Sequence, residues 1–138
     1  MVKIDKYEFP DELYYWKDHT WAKLEEDEKV RVGIDDYGQD IAGKLRFIRI
    51  KREGRDVKQG DTFATVETGK WVGPLRSPVS GKIVQVNKIL RRKPSTANDD
   101  PYGEGWFIML EATNLQDDIT KLYKGKEASS SWLEKEIP

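Results

Sequence analysis

The 138-residue chain has no cysteine and a single histidine, His19. Without thiols there are no disulfides, no thiolate metal sites and no cysteine nucleophile. One imidazole cannot form a histidine cluster for a metal. No apolar run approaches the roughly 20 residues needed to cross a bilayer, so a membrane partner is not expected. The opening stretch MVKIDKYEFPDELYYW mixes charges with aromatics and lacks an apolar signal region, which predicts residence in the cytoplasm. Neither sign of charge is in excess: 24 Lys and Arg meet 25 Asp and Glu, a net charge of −1. That balance argues against nucleic acid as the main partner, because phosphate binding draws on a basic excess. Two basic runs, Lys44 to Arg55 and Lys88 to Lys93, are bounded by acids or turn residues and read as solvated faces. No spacing of Ser, Asp or Glu suggests a nucleophile–base pair, so the chain is not expected to be an enzyme. Any redox or group-transfer chemistry must then come from something attached to it.

Hydrophobic residues make up 37% of the chain and charged residues 36%, the balance of one domain with a thin core and a heavily solvated surface. Val30, Val32 and Ile34 alternate with other residues, the period of a half-buried strand. Asp35 is a candidate N-cap for a short helix ending at Ala42, with Gly43 as its stop. The strand pattern resumes over Lys44 to Ile50, where the apolar phase slips between Phe47 and Ile48 and predicts a bulge. Val57 restarts a short extended piece, and Thr62 to Thr68 forms a strand. Gly69 and Lys70 suit a two-residue type II′ hairpin turn that pushes Lys70 outward before the extended stretch Trp71 to Leu75. Lys82 to Asn87 reads as a further strand and Arg91 to Gly105 as a polar loop. Trp106 to Leu110 reads as a strand buried on both faces. From Leu115 onward Leu115, Ile119 and Leu122 share a helical face, and Ser131 to Ile137 suggests a short tail helix. Many short strands with frequent turns predict a small sandwich or barrel.

The informative stretch runs from Asp56 to Gly81. Val-Lys-Gln-Gly60-Asp and Pro-Val-Ser-Gly81-Lys each deliver a glycine turn into a strand, and Lys70 lies between these two similar halves. A near-symmetric pair of hairpins is a sensible platform for a swinging arm, whose attachment amine must stand clear of the body.

Five segments in order then resemble the glycine cleavage system H-protein family, within the lipoyl and biotinyl barrel-sandwich group. Asp18-His19-Thr20-Trp21 resembles the family's His-Glu-Trp. The run from Val32 to Asp40 resembles its VGIT-x-Y-A-Q stretch. Val66-Glu67-Thr68-Gly69-Lys70 corresponds to its Val-Glu-Ser-Val-Lys hairpin. Ser77 to Gly81 with Val86-Asn87, and Asp100-Pro-Tyr102-Gly-Glu-Gly-Trp106, follow in register. The resemblance covers about Tyr14 to Ala112. It implies a mainly β fold, a flattened barrel of two sheets with short helices. Residues 1–138 would form one lipoyl carrier domain, with about 113–138 a C-terminal helical extension.

The resemblance further implies lipoic acid amide-linked to Lys70, with Glu67 presented to the lipoylation machinery and Gly69 and Trp71 flanking the site. His19 would be a candidate residue of the cleft where the arm rests, while Tyr102 and Trp106 would pack the core and a loop. Biotinyl domains instead carry Met-Lys-Met at the tip. Implied partners are a lipoate ligase or the lipoyl synthase and transferase machinery, dihydrolipoyl dehydrogenase, and either glycine cleavage enzymes or a heterodisulfide-reductase-like complex. The family's Val-Lys-Ala is here Gly69-Lys70-Trp71, and its common alanine is here Gly38. The Gly-Lys-Trp-Val-Gly hairpin resembles the H-like lipoate-binding proteins of the sulfur-oxidising, heterodisulfide-reductase-like system. A carrier of sulfur intermediates is therefore the first expectation. An aminomethyl carrier of glycine cleavage is the alternative, and an unmodified scaffold domain is the second alternative.

Overall fold

Alternation of β-branched and aromatic residues with polar ones gives short strands that bury one face each. The computed structural model describes residues 2–125, and among these the strands form three antiparallel sheets. β1 (Val2–Ile4) and β2 (Tyr7–Phe9) make an N-terminal hairpin. The largest sheet contains β3 (Tyr14–Tyr15), β4 (Thr20–Leu24), β5 (Lys29–Ile34), β7 (Asp56–Val57), β10 (Gly81–Val86), β11 (Ile108–Ala112) and β12 (Tyr123–Lys124). Its order is β12-β3-β4-β5-β11-β10-β7. The third sheet has β6 (Leu45–Ile50), β8 (Thr62–Thr68) and β9 (Val72–Arg76), with β8 in the middle.

The main core lies between the second and third sheets. Val30, Val32, Ile83, Ile108 and Leu110 from one side meet Phe63, Ala64, Val66 and Leu75 from the other. Phe63 and Phe107 join the layers edge to face, with ring centroids 6.0 Å apart. A second cluster of Tyr7, Phe9, Leu13, Tyr15 and Trp21 packs beneath the N-terminal hairpin. Ala22 belongs to the first cluster and its neighbour Trp21 to the second, as the two-residue period requires. This is the two-sheet sandwich expected from the sequence.

Helix α1 (Asp36–Ala42) begins where Asp35 accepts a hydrogen bond from the Gly38 amide and stops at Gly43, whose φ of 92° suits glycine. The bulge in β6 is present, but it falls between Leu45 and Phe47 rather than at Phe47–Ile48. It turns Leu45, Ile48 and Ile50 toward the interior and leaves Phe47 outside.

Other expectations are corrected. The 91–105 segment is not all loop: α2 (Ile89–Arg92) and α3 (Thr96–Asp99) are single turns around it, and they bury Leu90 and Ala97. Gly60 takes the positive φ of a turn, but Gly81 does not. Gly81 instead opens β10, where a Cβ would lie 2.5 Å from the Glu111 carbonyl oxygen, so close strand approach is what requires it there. The helical face after Leu115 is broken into α4 (Leu115–Asp118), a 3₁₀ turn (Ile119–Lys121) and β12. Asp118 interrupts it: its buried carboxylate accepts from the Ser80 amide at 2.6 Å and so ties this segment to the hairpins. The suggested helix over Ser131 to Ile137 lies outside the described residues. Among those described, no helix is long and apolar enough to cross a membrane.

Candidate functional site

Lys70 sits at the tip of the β8–β9 hairpin, exposed between Gly69 and Trp71. The turn is closed by the Thr68 amide donating to the Trp71 carbonyl at 2.8 Å. The Thr68 hydroxyl accepts from the Lys70 amide at 3.3 Å, which braces the turn from inside. The type II′ geometry expected of Gly69 is not formed, because Gly69 lacks a positive φ. A different pressure acts at this position. A Cβ on Gly69 would come within 3.1 Å of the Arg46 guanidinium, which packs over the turn from β6.

The Lys70 side chain leans toward the C-terminal end of α1. Its Cε would lie 3.3 Å, and its Nζ 3.9 Å, from a Cβ built on Gly43. Gly43 therefore serves both the helix stop and the passage of the lysine stem.

Beside the hairpin lies a cleft of about 520 Å³. The β3–β4 turn supplies Lys17, Asp18 and His19; α1 supplies Gly38, Ile41 and Ala42; the hairpin supplies Lys70 and Trp71; β9 supplies Leu75 and Arg76. Thr20 donates to the Arg76 carbonyl at 2.8 Å and so fixes the two sheets together at this point. His19 is buried in the wall with φ of 70°, and its Nδ1 lies 3.0 Å from an Asp35 carboxylate oxygen. Asp35 thus does two jobs, since its other oxygen caps α1 through Gly38. A Cβ on Gly38 would lie 2.8 Å from the His19 Cβ, so this chain's glycine leaves room for the ring.

The structure thus brings Lys70, Trp71 and His19 to one cleft. Glu67 does not join them. It lies on the outward face of the third sheet, paired in register with Phe47 and Val72. Tyr102 and Trp106 pack against the second cluster. The Tyr102 hydroxyl donates to the Glu8 carbonyl at 2.6 Å and accepts from the Asp36 amide at 2.8 Å.

Asn98 is a residue that sequence reasoning missed. Its side chain accepts from the Leu45 amide and donates to the Gln39 and Gly43 carbonyls, clamping the end of α1 beneath the hairpin. Its only sequence signal was a lone Asn in a polar stretch, which gives no hint of contacts more than 50 residues away.

A family model described as glycine cleavage H-protein matches residues 13–135. The chain belongs to the glycine cleavage H-protein family. H-proteins are non-catalytic carriers that hold lipoic acid covalently on a lysine. The chain is 40% identical over 131 residues to a probable glycine cleavage system H protein 2 of Saccharolobus solfataricus, covering 93% of this chain and 88% of that one. It is 43% identical over 130 residues to glycine cleavage system H protein 2 of Aquifex aeolicus, covering 91% and 81%. The crystal structure of an H-protein from Mycobacterium marinum superimposes with a TM-score of 0.80 at 32% identity, covering 88% of this chain and 96% of that chain. These relatives are all named for glycine cleavage. The first expectation, a carrier of sulfur intermediates, gains no support from them, and the aminomethyl-carrier alternative fits better.

Proposed function

We propose that this H-protein is lipoylated on Lys70 and carries the aminomethyl group between the enzymes of glycine cleavage. The observation that carries the proposal is the exposed lysine at a braced hairpin tip, directly beside a cleft with an apolar wall. An amine at an exposed hairpin tip can be acylated by an enzyme, and the residues around it fit a long flexible arm. Lipoate, once amide-linked to Nζ, would supply a dithiolane whose S–S bond opens as one sulfur takes up the carried group.

The chain's own residues do the holding. Thr68 stiffens the turn so that the arm pivots from a fixed point. Gly43 leaves the stem unobstructed. The Ile41 and Leu75 side of the cleft offers apolar surface to a resting arm, while Asp18 and His19 offer polar groups to its loaded end. Glu67 lies on the sheet face, outside the cleft, and the lipoate-attaching enzyme would read it there. The partners that follow from this reading are that enzyme, the glycine cleavage enzymes and dihydrolipoyl dehydrogenase. Encounters with them should be transient, with modest interfaces.

A second reading, transport of sulfur intermediates, draws its support from one local feature. Trp71, 42% exposed, stands beside the arm with its ring folded over Gly73.

The test is the intact mass of the protein after co-expression with a lipoate ligase. We expect a lipoyl increment that Lys70→Ala abolishes without loss of fold. A bare chain mass from the wild type would favour the unmodified scaffold. Reconstitution with glycine decarboxylase and aminomethyltransferase then separates the two cargoes. A lipoylated protein that supports no glycine turnover would return the sulfur reading to first place.

A further inference from the structure

The N-terminal hairpin of β1 and β2 precedes residues 13–135, which the family model matches. Two paired strands of three residues are not stable alone, so this hairpin keeps its place by what it packs against. Phe9 is fully buried, and Tyr7 belongs to the same cluster. Hydrogen bonds then tie the hairpin to α1. The Tyr7 hydroxyl donates to the Asp40 carboxylate, and the Glu8 amide donates to Asp36 Oδ2 at 3.0 Å. Lys6 Nζ lies 3.7 Å from the same Asp40 oxygen. The Tyr102 hydroxyl bridges the Glu8 carbonyl and the Asp36 amide. Asp36 and Asp40 are four residues apart and share one face of α1, while Tyr37 and Ile41 share the next. The hairpin therefore holds one flank of a short helix whose neighbouring flank, through Ile41, lines the cleft.

A line of rings continues from the hairpin into that cleft. Tyr7 meets Tyr37 edge to face with centroids 5.0 Å apart, and Tyr37 meets His19 at 4.9 Å, tilted by 59°. His19 lines the cleft with φ of 70°, an uncommon conformation for a residue with a side chain. Such a conformation persists where the surroundings fix it. Tyr37 packs on the ring from α1, and Asp35 bonds its Nδ1.

We propose that the N-terminal hairpin is a clasp for the arm's cleft, in which Tyr7, acting through Tyr37, is a positioning residue for His19. The inference rests on the cleft as the seat of the loaded arm. A clasped α1 and a fixed imidazole keep the seat closed around the carried aminomethyl group. A loosened hairpin frees both, local opening becomes more frequent, and the carried group meets water more often. Its hydrolysis takes up one water, breaks the C–S and C–N bonds, and gives the thiol, formaldehyde and ammonia with no net oxidation.

Two readouts on the full-length chain test the clasp. His19 is the single histidine, so its ring resonances in the apo-protein are unambiguous. The second readout is hydrolytic loss of the carried group, followed by intact mass, from lipoylated protein loaded by glycine decarboxylase and then freed of that enzyme. Tyr7→Leu should shift the His19 resonances and speed the loss by about fivefold. Tyr7→Phe keeps a ring against Tyr37 and should restore both to wild-type values. Should Tyr7→Leu fail to fold, Tyr102→Phe removes only the bridging hydroxyl and must move the same resonances. Wild-type resonances and wild-type loss in folded Tyr7→Leu would overturn the clasp. Faster loss with unmoved resonances would overturn the route through His19. A wild type that accepts no aminomethyl group would overturn the cargo reading, and the resonances alone would then decide the clasp.

Discussion

Asp35 sits at the junction of the α1 cap and the cleft wall, fully buried, with one carboxylate oxygen on the Gly38 amide and the other on His19. Its removal deprives a helix of its cap and takes the Asp35 hydrogen bond from a buried imidazole. Each loss alone costs about 1 kcal/mol or more. Asp35→Ala should therefore destabilise the fold by roughly 2 kcal/mol in urea unfolding, and the His19 ring resonances should shift in the same variant. An unchanged His19 environment would show that the Asp35 bond does not position the ring. Gly38 acts at the same scale. A Cβ there would lie 2.8 Å from the His19 Cβ, so a larger residue would displace that side chain.

Among the elements, α1 is short and has no basic residue in its last turn, so its C-terminal end depends on outside help. Asn98 provides it from α3, taking the Gln39 and Gly43 carbonyls and returning a bond to the Leu45 amide. Asn98→Ala leaves those groups without the side chain that joins them, and we expect a loss of roughly 2 kcal/mol. Hydrogen exchange should report it locally, with faster exchange at Gly43 and Leu45 than in β10 or β11. Uniform change across all strands would contradict the clamp. The consequence for function is positional, because Gly43 lies directly under the Lys70 stem.

For the molecule as a whole, tyrosines give a pH signature. Tyr7 is raised from 10.0 to about 12, first by its hydrogen bond to Asp40 and then by burial. Burial pushes Tyr15 and Tyr102 up as well. The folded state holds these protons more tightly than the unfolded chain does. Their contribution to stability is therefore complete below about pH 10, and Tyr7's share is lost as pH rises through about 12. Alkaline titration of the unfolding free energy should fall across that window, and Tyr7→Phe should make the fall shallower. A flat profile to pH 12 would refute the assignment.

What the sequence determined by itself is local. The Val30–Val32–Ile34 alternation, the Asp35 cap and Gly43 stop, and the limits of the strand Thr62 to Thr68 all follow from residue preferences and period, and each is found in place. The exposed tip at Lys70 was legible because its hairpin is contiguous in the chain, whereas its choice as a candidate site came from the family resemblance. Tertiary structure decided everything that needs partners distant in sequence. The Arg46 guanidinium packs against the Gly69 turn from β6, and the outward swing of Phe47 follows the register of β6 on β8. Neither the Asn98 clamp nor the meeting of His19 with Lys70 in one cleft has a local cause. Propensity acts between neighbours along the chain, whereas close packing and hydrogen-bond satisfaction act between neighbours in space.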